Sequence, residues 1–529
     1  MHSGSRAGRL SSAWREPTLA ASTGALVLLA SLVNFLGHNE YPLLRPEVGL
    51  VAAFFIAVAI VSGLVYATMS GVGRSLLQYV LVLLALDLNF DPIVAVVGTA
   101  VIGLVLRRHM MTFLGIAAGV VLTTGLAGIA AGSGGDGRRL ASGLPASDAP
   151  VLVHIILDEH IGIEGILGDA PETRAIRDKL KAFYLRNDFR LFGGAYSAYF
   201  HSVNSIPEIL NFGVEQGREL GFKNGAVMRK NAYFDKLSAL GYGIHVYQRE
   251  YIDYCEVGPI VFCETKRRSD FGDMAEAPLT AVEKARLAVN DMGSLSSFFR
   301  GLANSYDLVS ALARRYDVAL PALRPEQDPV AFGALATLDQ LASELRQAKP
   351  GTAYFVHAFA PHYPYVMDRS CQLKKLSDWM HRDATSIARH DREIAYFDQI
   401  SCVLTKLDAI FAAAASTPAG ANAVFVIHGD HGSRMTETEP RVDTKGRFDD
   451  NDLIVSFSAL FAVRGPGIEP AYDRRRLPVS KLLEAVAMAD FHSANYAPAA
   501  DFTPTVVLTD SSWTPVERHP LPEWWARPQ

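Results

Sequence analysis

The chain has 529 residues, too many for one ordinary domain and enough for two or three. Hydrophobic side chains make up 49% of it and the mean hydropathy is +0.14, high for a purely soluble protein. A formal net charge of −5 and a pI near 6.3 give no sign of the basic face that nucleic acid requires, so nucleic acid is not an expected partner.

The hydrophobic excess is concentrated before residue 132. Residues 18–37 carry no charge and are long enough to cross a bilayer, as are residues 48–70. Residues 75–89 and 92–106 are shorter and are joined through Asp87, Asn89, Asp91 and Pro92; they read as two short spans or a re-entrant pair. Residues 112–131 complete an α-helical membrane region of about five spans, and a cleaved signal peptide does not account for the later segments. Arg6, Arg9 and Arg15, then Arg74, then Arg107 and Arg108 all fall on one side of such a region, with Arg45 alone opposite. The arginine-rich side is cytoplasmic. The longer spans hold no Lys, Arg, Asp or Glu, which argues against an ion or substrate path through them.

Residues 132–150 are rich in Gly, Ser, Ala and Pro and read as a flexible tether. The expected organisation is a cytoplasmic tail (1–17), a membrane region (18–131), the tether and an extracytoplasmic domain (151–529), with the chain integral to the inner (plasma) membrane.

From Val151 the pattern changes. The apolar, β-branched run 151–157 predicts a buried parallel strand. A helix follows from Pro171 toward Phe189, with Asp169 as its N-cap. Next come a helix over 232–240, strands over 244–248 and 353–359, and a long helix within 383–415. Strands over 422–427 and 458–465 and a helix over 480–489 complete the series. This alternation predicts an α/β domain with a mostly parallel sheet, whose ligands bind beyond the carboxyl ends of the strands.

Four short segments sit at such ends. Asp158-Glu159-His160 follows strand 151–157, and His428-Gly429-Asp430-His431-Gly432 follows strand 422–427. Pro361-His362-Tyr363-Pro364 follows strand 353–359, and Ser202 and Ser205 precede a helix-like stretch within residues 195–211. Taken singly, each has a bland explanation: an acid after a strand is more often a turn or cap, and Ser202 alone fits a helix cap. Together they gather carboxylate oxygens, imidazole nitrogens and a hydroxyl, a set suited to zinc or manganese and an activated nucleophile.

The order of IILDE (155–159), Tyr199-Phe200-His201-Ser202 with Ser205, HAFAPHYPYVMD (357–368) and HGDHG (428–432) resembles the membrane-anchored sulfatase-like proteins. These are relatives of lipoteichoic acid synthases, phosphoethanolamine transferases and alkaline phosphatases. The resemblance implies an alkaline phosphatase/sulfatase-like fold and one divalent metal ion. Asp158, Ser202, Asp430 and His431 would hold that metal, with Glu159 open as the alternative first acid. It implies Ser202 as nucleophile and His362 as a contact to phosphate or sulfate, with His357 and His201 as further substrate-binding candidates. Formylglycine sulfatase chemistry is disfavoured, because neither the Pro nor the Arg of that motif follows Ser202.

The implied activity is phosphoryl-group transfer at the outer membrane face, from a membrane lipid or lipid-linked donor to an envelope glycan or lipid acceptor. Hydrolysis by a phosphodiesterase, a phosphatase or another sulfatase-like hydrolase is one alternative, and a degenerate, non-catalytic envelope scaffold is another. In an oxidising compartment the four cysteines pair most naturally as Cys255–Cys263 and Cys371–Cys402, one of three connectivities, with free thiols as the alternative. The topology is testable: a reporter enzyme fused after residue 140 is expected to be active outside the cytoplasm, and activity inside would overturn the assigned compartment.

Overall fold

The computed structural model describes residues 6–87, 92–105, 109–130, 138–139, 148–213, 221–222, 226–256, 258, 260–266, 271–295, 330–380 and 388–525. The chain forms two compact units, residues 1–135 with 269–329, and residues 136–268 with 330–529. The run 151–529, expected as one domain, is thus interrupted by residues 269–329, which group with the N-terminal helices.

The N-terminal helices are α1 (Arg6–His38), α2 (Pro46–Thr68), α3 (Gly71–Asp87), α4 (Pro92–Val105) and α5 (Met110–Ala130). Helix α1 already includes most of the expected tail. Among the described residues, two stretches are long and apolar enough to cross a membrane, Pro17–Gly37 and Pro46–Thr68, which corrects the expectation of about five spans. The reason is length. At about 1.5 Å per residue, α3 and α4 reach only about 26 and 21 Å against a hydrocarbon core of about 30 Å. The apolar stretch of α5, Thr112–Ala127, is short as well. Asn89, Asp91, Arg107 and Arg108, used above for orientation, lie outside the described residues.

After α2 and its neighbours, the helices continue as α6 (Pro171–Arg186), α7 (Ser202–Leu210), α8 (Ala232–Ala239) and α9 (Ala281–Leu295). Then come α10 (Val330–Leu345), α11 (Arg389–Ala415), α12 (Asp450–Phe457) and α13 (Val479–Met488). In the first unit α9 packs on α2, and Phe271 packs on Phe35 and Tyr41 with ring centroids 5.3 and 4.8 Å apart. Arg45, the one arginine on the minority side, pairs there with Glu276.

The second unit is built on a nine-stranded sheet. Its strands are β1 (Arg138–Arg139), β2 (Leu152–Leu157), β3 (Arg190–Phe192), β4 (Gly243–Arg249) and β5 (Ile260–Lys266). They continue as β6 (Thr352–Ala358), β7 (Val424–Gly429), β8 (Phe461–Arg464) and β9 (Ala471–Asp473). The spatial order is β1-β5-β4-β6-β2-β7-β8-β3-β9. From β5 to β7 all neighbours are parallel, whereas β1, β8 and β3 introduce antiparallel pairs, so the sheet is mixed but mostly parallel.

Two sequence expectations are corrected here. Asp169 does not cap α6; Ala170 holds that position, and Asp169 lies 3.7 Å from Arg177 instead. The tether is not wholly irregular, because Arg138 and Arg139 form an edge strand on β5; residues 131–137 and 140–147 lie outside the described residues. Both expected disulfides, Cys255–Cys263 and Cys371–Cys402, are present.

Every residue of β2 is buried, as a strand covered on both faces requires. Val153, Ile155 and Leu157 pack with Leu180 of α6 and Leu407 of α11, while Leu152 and Ile156 pack with Ile206 of α7 and Leu483 of α13. Truncating this centre leaves a cavity that rigid neighbours on both faces do not fill. Ile155→Ala is therefore expected to destabilise the folded protein by about 2–5 kcal/mol, read from denaturant unfolding in detergent.

Candidate metal centre

Strand register places the site. Leu157, the last residue of β2, is level with Ala358 on one side and Gly429 on the other. The residues that follow these three ends, Asp158, His362 and Asp430-His431, therefore emerge at the same carboxyl edge, where parallel sheets bind ligands. The two glycines of His428-Gly429-Asp430-His431-Gly432 permit this closeness. A Cβ on Gly429 would lie 2.3 Å from the His160 carbonyl oxygen, and one on Gly432 would lie 2.1 Å from that of Val455.

The structure brings Asp158, Asp430 and His431 together, with one potential ligand atom of each within 4.8 Å of the others. Asp158, Glu159 and His362 form a second such group that shares Asp158. Ser202 is the first residue of α7, and its hydroxyl lies 3.4 Å from Asp158 Oδ2. Its place at a helix start puts unsatisfied backbone N–H groups beside it, a setting that favours an anion. Ser205, expected to start the helix, lies one turn inside it, and its backbone N–H donates to the His201 carbonyl.

The donor set fits a divalent cation. Asp158 Oδ1, Asp430 Oδ2 and His431 Nε2 are buried and have no hydrogen-bond partner. Among the described residues no Lys or Arg lies within ion-pair distance of either aspartate. Burial, then the neighbouring Asp430, pushes the Asp158 carboxyl well above its usual range. Burial, then Arg434, holds His431 well below the usual histidine value, so its imidazole is neutral. The Nδ1–H of His431 donates to the Gly432 carbonyl at 2.7 Å, which leaves Nε2 with the lone pair that a metal needs.

Glu159 is placed differently. Its backbone adopts φ 61°, an uncommon conformation outside glycine, and its N–H donates to Asp430 Oδ1 at 3.0 Å. Its side chain, fully buried, meets Arg434 Nε at 2.9 Å and His362 Nε2 at 3.6 Å. His357 Nε2 lies 3.3 Å from Asp158 Oδ2 and the ring is fully buried. His201 stacks on Trp513, with centroids 5.2 Å apart, and its Nε2 is 3.0 Å from Glu439.

Sequence reading missed Arg434 and Tyr396. Arg434 follows the Asp-His motif by three residues and supplies the one guanidinium paired with this acid cluster among the described residues. Three adjacent buried acids needed a cation, which was the available signal. Tyr396 of α11 donates to the Glu159 carbonyl at 2.6 Å and accepts from the Ile161 N–H at 3.1 Å, clamping the loop after β2. Nothing in the local sequence marks it.

Removing one ligand while keeping its shape tests the centre. Asp430→Asn is expected to weaken zinc or manganese binding by more than the 10–100-fold typical of an outer-shell partner. The same change should leave the thermal stability of the metal-free protein nearly unchanged, since the amide oxygen can still accept from the Glu159 N–H. Calorimetric titration and thermal unfolding read the two effects separately.

No family model and no curated protein matches the chain. Similar solved structures include a sulfatase of Bacteroides thetaiotaomicron, with 15% identity, 70% of this chain and 83% of that chain covered, and a TM-score of 0.40. They include the C-terminal periplasmic domain of EptC from Escherichia coli in complex with zinc (11% identity, 72% and 95% covered, TM-score 0.37). They also include a protein of the alkaline phosphatase superfamily from Vibrio parahaemolyticus (11% identity, 69% and 74% covered, TM-score 0.38). These names match the group that the sequence motifs resemble, but at such TM-scores the chemistry of the site rests on its own atoms.

Proposed function

We propose that the chain is a metal-dependent phosphoryl-group transferase acting at the outer face of the membrane through a covalent serine intermediate. The observation that carries this reading is the Ser202 hydroxyl, at the start of α7, 3.4 Å from a buried aspartate of the Asp158-Asp430-His431 set. A divalent ion held by those three residues, zinc or manganese, would supply Lewis acidity to the serine oxygen and to the phosphoryl group.

The protein's own groups set up the rest. The Ser202 proton faces Asp158 Oδ2, which directs an oxygen lone pair away from that carboxylate toward an incoming phosphorus. Attack forms the Ser202 Oγ–P bond and breaks the bond to the leaving oxygen, and the hydroxyl proton passes by way of Asp158 Oδ2 to that leaving oxygen. The first N–H groups of α7 and the Arg434 guanidinium favour the negative oxygens of the transferred group. His362 supplies a further polar contact at the edge of the site, beside Glu159. A hydroxyl acceptor then takes the phosphoryl group and frees Ser202.

Location narrows the substrates. Two apolar N-terminal helices favour a membrane-held enzyme. Crossing by these two alone would return the chain to the arginine-rich side, so the outer placement rests on the two disulfides, which fit an oxidising compartment. A lipid or lipid-linked donor and an envelope glycan or lipid acceptor are proposed by analogy with the membrane-anchored proteins that the motifs resemble.

Ser202→Ala is expected to abolish turnover while metal affinity stays within a few-fold of wild type. Wild-type protein quenched in acid during turnover of labelled membrane phospholipid should carry phosphate on the Ser202 peptide. Full turnover by the variant, or a quenched peptide without phosphate, would overturn the covalent mechanism. Release of free headgroup phosphate in place of a modified acceptor would identify hydrolysis.

A further inference from the structure

The His357 imidazole meets Oδ2 of Asp158, while Oδ1 of the same carboxylate is buried without a hydrogen-bond partner, and the imidazole is itself held on its other nitrogen. The Tyr254 hydroxyl lies 3.0 Å from His357 Nδ1, and His357 Nε2 lies 3.3 Å from Asp158 Oδ2. Tyr254 and His357 are both fully buried, with ring centroids 5.9 Å apart. This geometry permits two proton arrangements. When Asp158 is the carboxylate that a cation requires, it accepts, so His357 Nε2 carries the proton and Nδ1 accepts from the tyrosine. Asp158 Oδ2 is then occupied by His357 and Ser202, and Oδ1 is left for the ion.

Tyr254 is anchored from two sides. Its backbone N–H donates to Gln248 Oε1 at 2.7 Å, and the Gln248 amide donates to Asp253 at 2.8 Å and to Thr265 at 2.9 Å. The adjacent Cys255 N–H donates to Asp253 at 2.8 Å, and its sulfur is bonded to Cys263 on β5. The tyrosine ring packs edge-on against Phe355, centroids 5.1 Å apart. A disulfide and a glutamine thus fix the loop that presents the phenol.

We propose that Tyr254 and His357 are positioning residues that set the metal affinity of the centre by fixing the Asp158 carboxylate, and that the Cys255–Cys263 bridge holds Tyr254 in place to do so. The inference rests on the reading of Asp158 as a metal ligand. It also moves His357 out of the substrate-binding role expected from sequence.

The test uses the full chain in detergent, titrated with zinc alone, and its cobalt-loaded form observed by visible absorption. His357→Ala and Tyr254→Phe are each expected to weaken zinc binding about 10–100-fold and to shift the cobalt bands. His357→Gln, whose amide nitrogen reaches the place of the imidazole Nε2, is expected to restore most of the loss. Opening the Cys255–Cys263 bridge by Cys255→Ser with Cys263→Ser should weaken zinc binding in the same direction. Circular dichroism confirms that each variant is folded, and Tyr254→Phe serves if His357→Ala is not. Wild-type affinity and an unchanged cobalt spectrum in both Tyr254→Phe and His357→Gln, with His357→Ala equally tight or unfolded, would overturn the positioning role while leaving the metal centre intact. A wild-type protein that binds no zinc overturns the centre itself.

Discussion

The Asp158 carboxyl, buried against Asp430 and pushed well above its usual range, is the constraint on which the second unit turns. Asp158 and Asp430 have almost no solvent exposure, and no side-chain cation pairs with either among the described residues. Leaving an ion uncompensated in such surroundings costs several kcal/mol, so a structure that gathers these groups must be over-determined elsewhere. The level ends of three parallel strands bring the chains together, and Gly429 and Gly432 let the backbones approach. Tyr396 and the Glu159 N–H then fix the loop and one oxygen of Asp430. The rest of the fold supplies the rigidity that holds these buried acids side by side.

How far the centre could be read from sequence follows from what each residue depends on. Asp158 and the Asp430-His431 pair were legible because they directly follow apolar strands, and strand ends in a parallel sheet are predictable places. Ser202 was legible through its spacing from Ser205, although the helix starts a turn earlier than that spacing suggested. Arg434, Tyr396 and Tyr254 were not legible, because each reaches the centre through packing of a loop or helix distant in sequence. Glu159 shows the limit most clearly. Its neighbour Asp158 takes the same edge, but a backbone turned to positive φ sends its carboxylate toward Arg434 and His362, and composition does not encode that turn.

The fold divides in the same way. Strands β2, β4, β6 and β7 announce themselves as continuous apolar runs, since both of their faces are covered. The short strands β3 and β9 carry too few residues for any period to register. In the N-terminal region, apolar composition found all five helices but not their reach, because hydropathy is continuous while bilayer thickness is a threshold. Residues 269–329 could not be assigned from their own sequence at all. They leave the sheet-bearing unit and return to it, and only contacts with distant helices reveal where they belong.

That excursion has a practical meaning for anyone who would separate the two halves. A cut at the tether does not divide the protein at a seam, because the liberated C-terminal piece still carries α9 without the helix it packs on. Leu287, Ala288 and Met292, buried in the intact chain, would then face water as a sticky strip. An excision that follows the two units removes residues 269–329 as well as the N-terminal part, which turns the most obvious truncation into the wrong one.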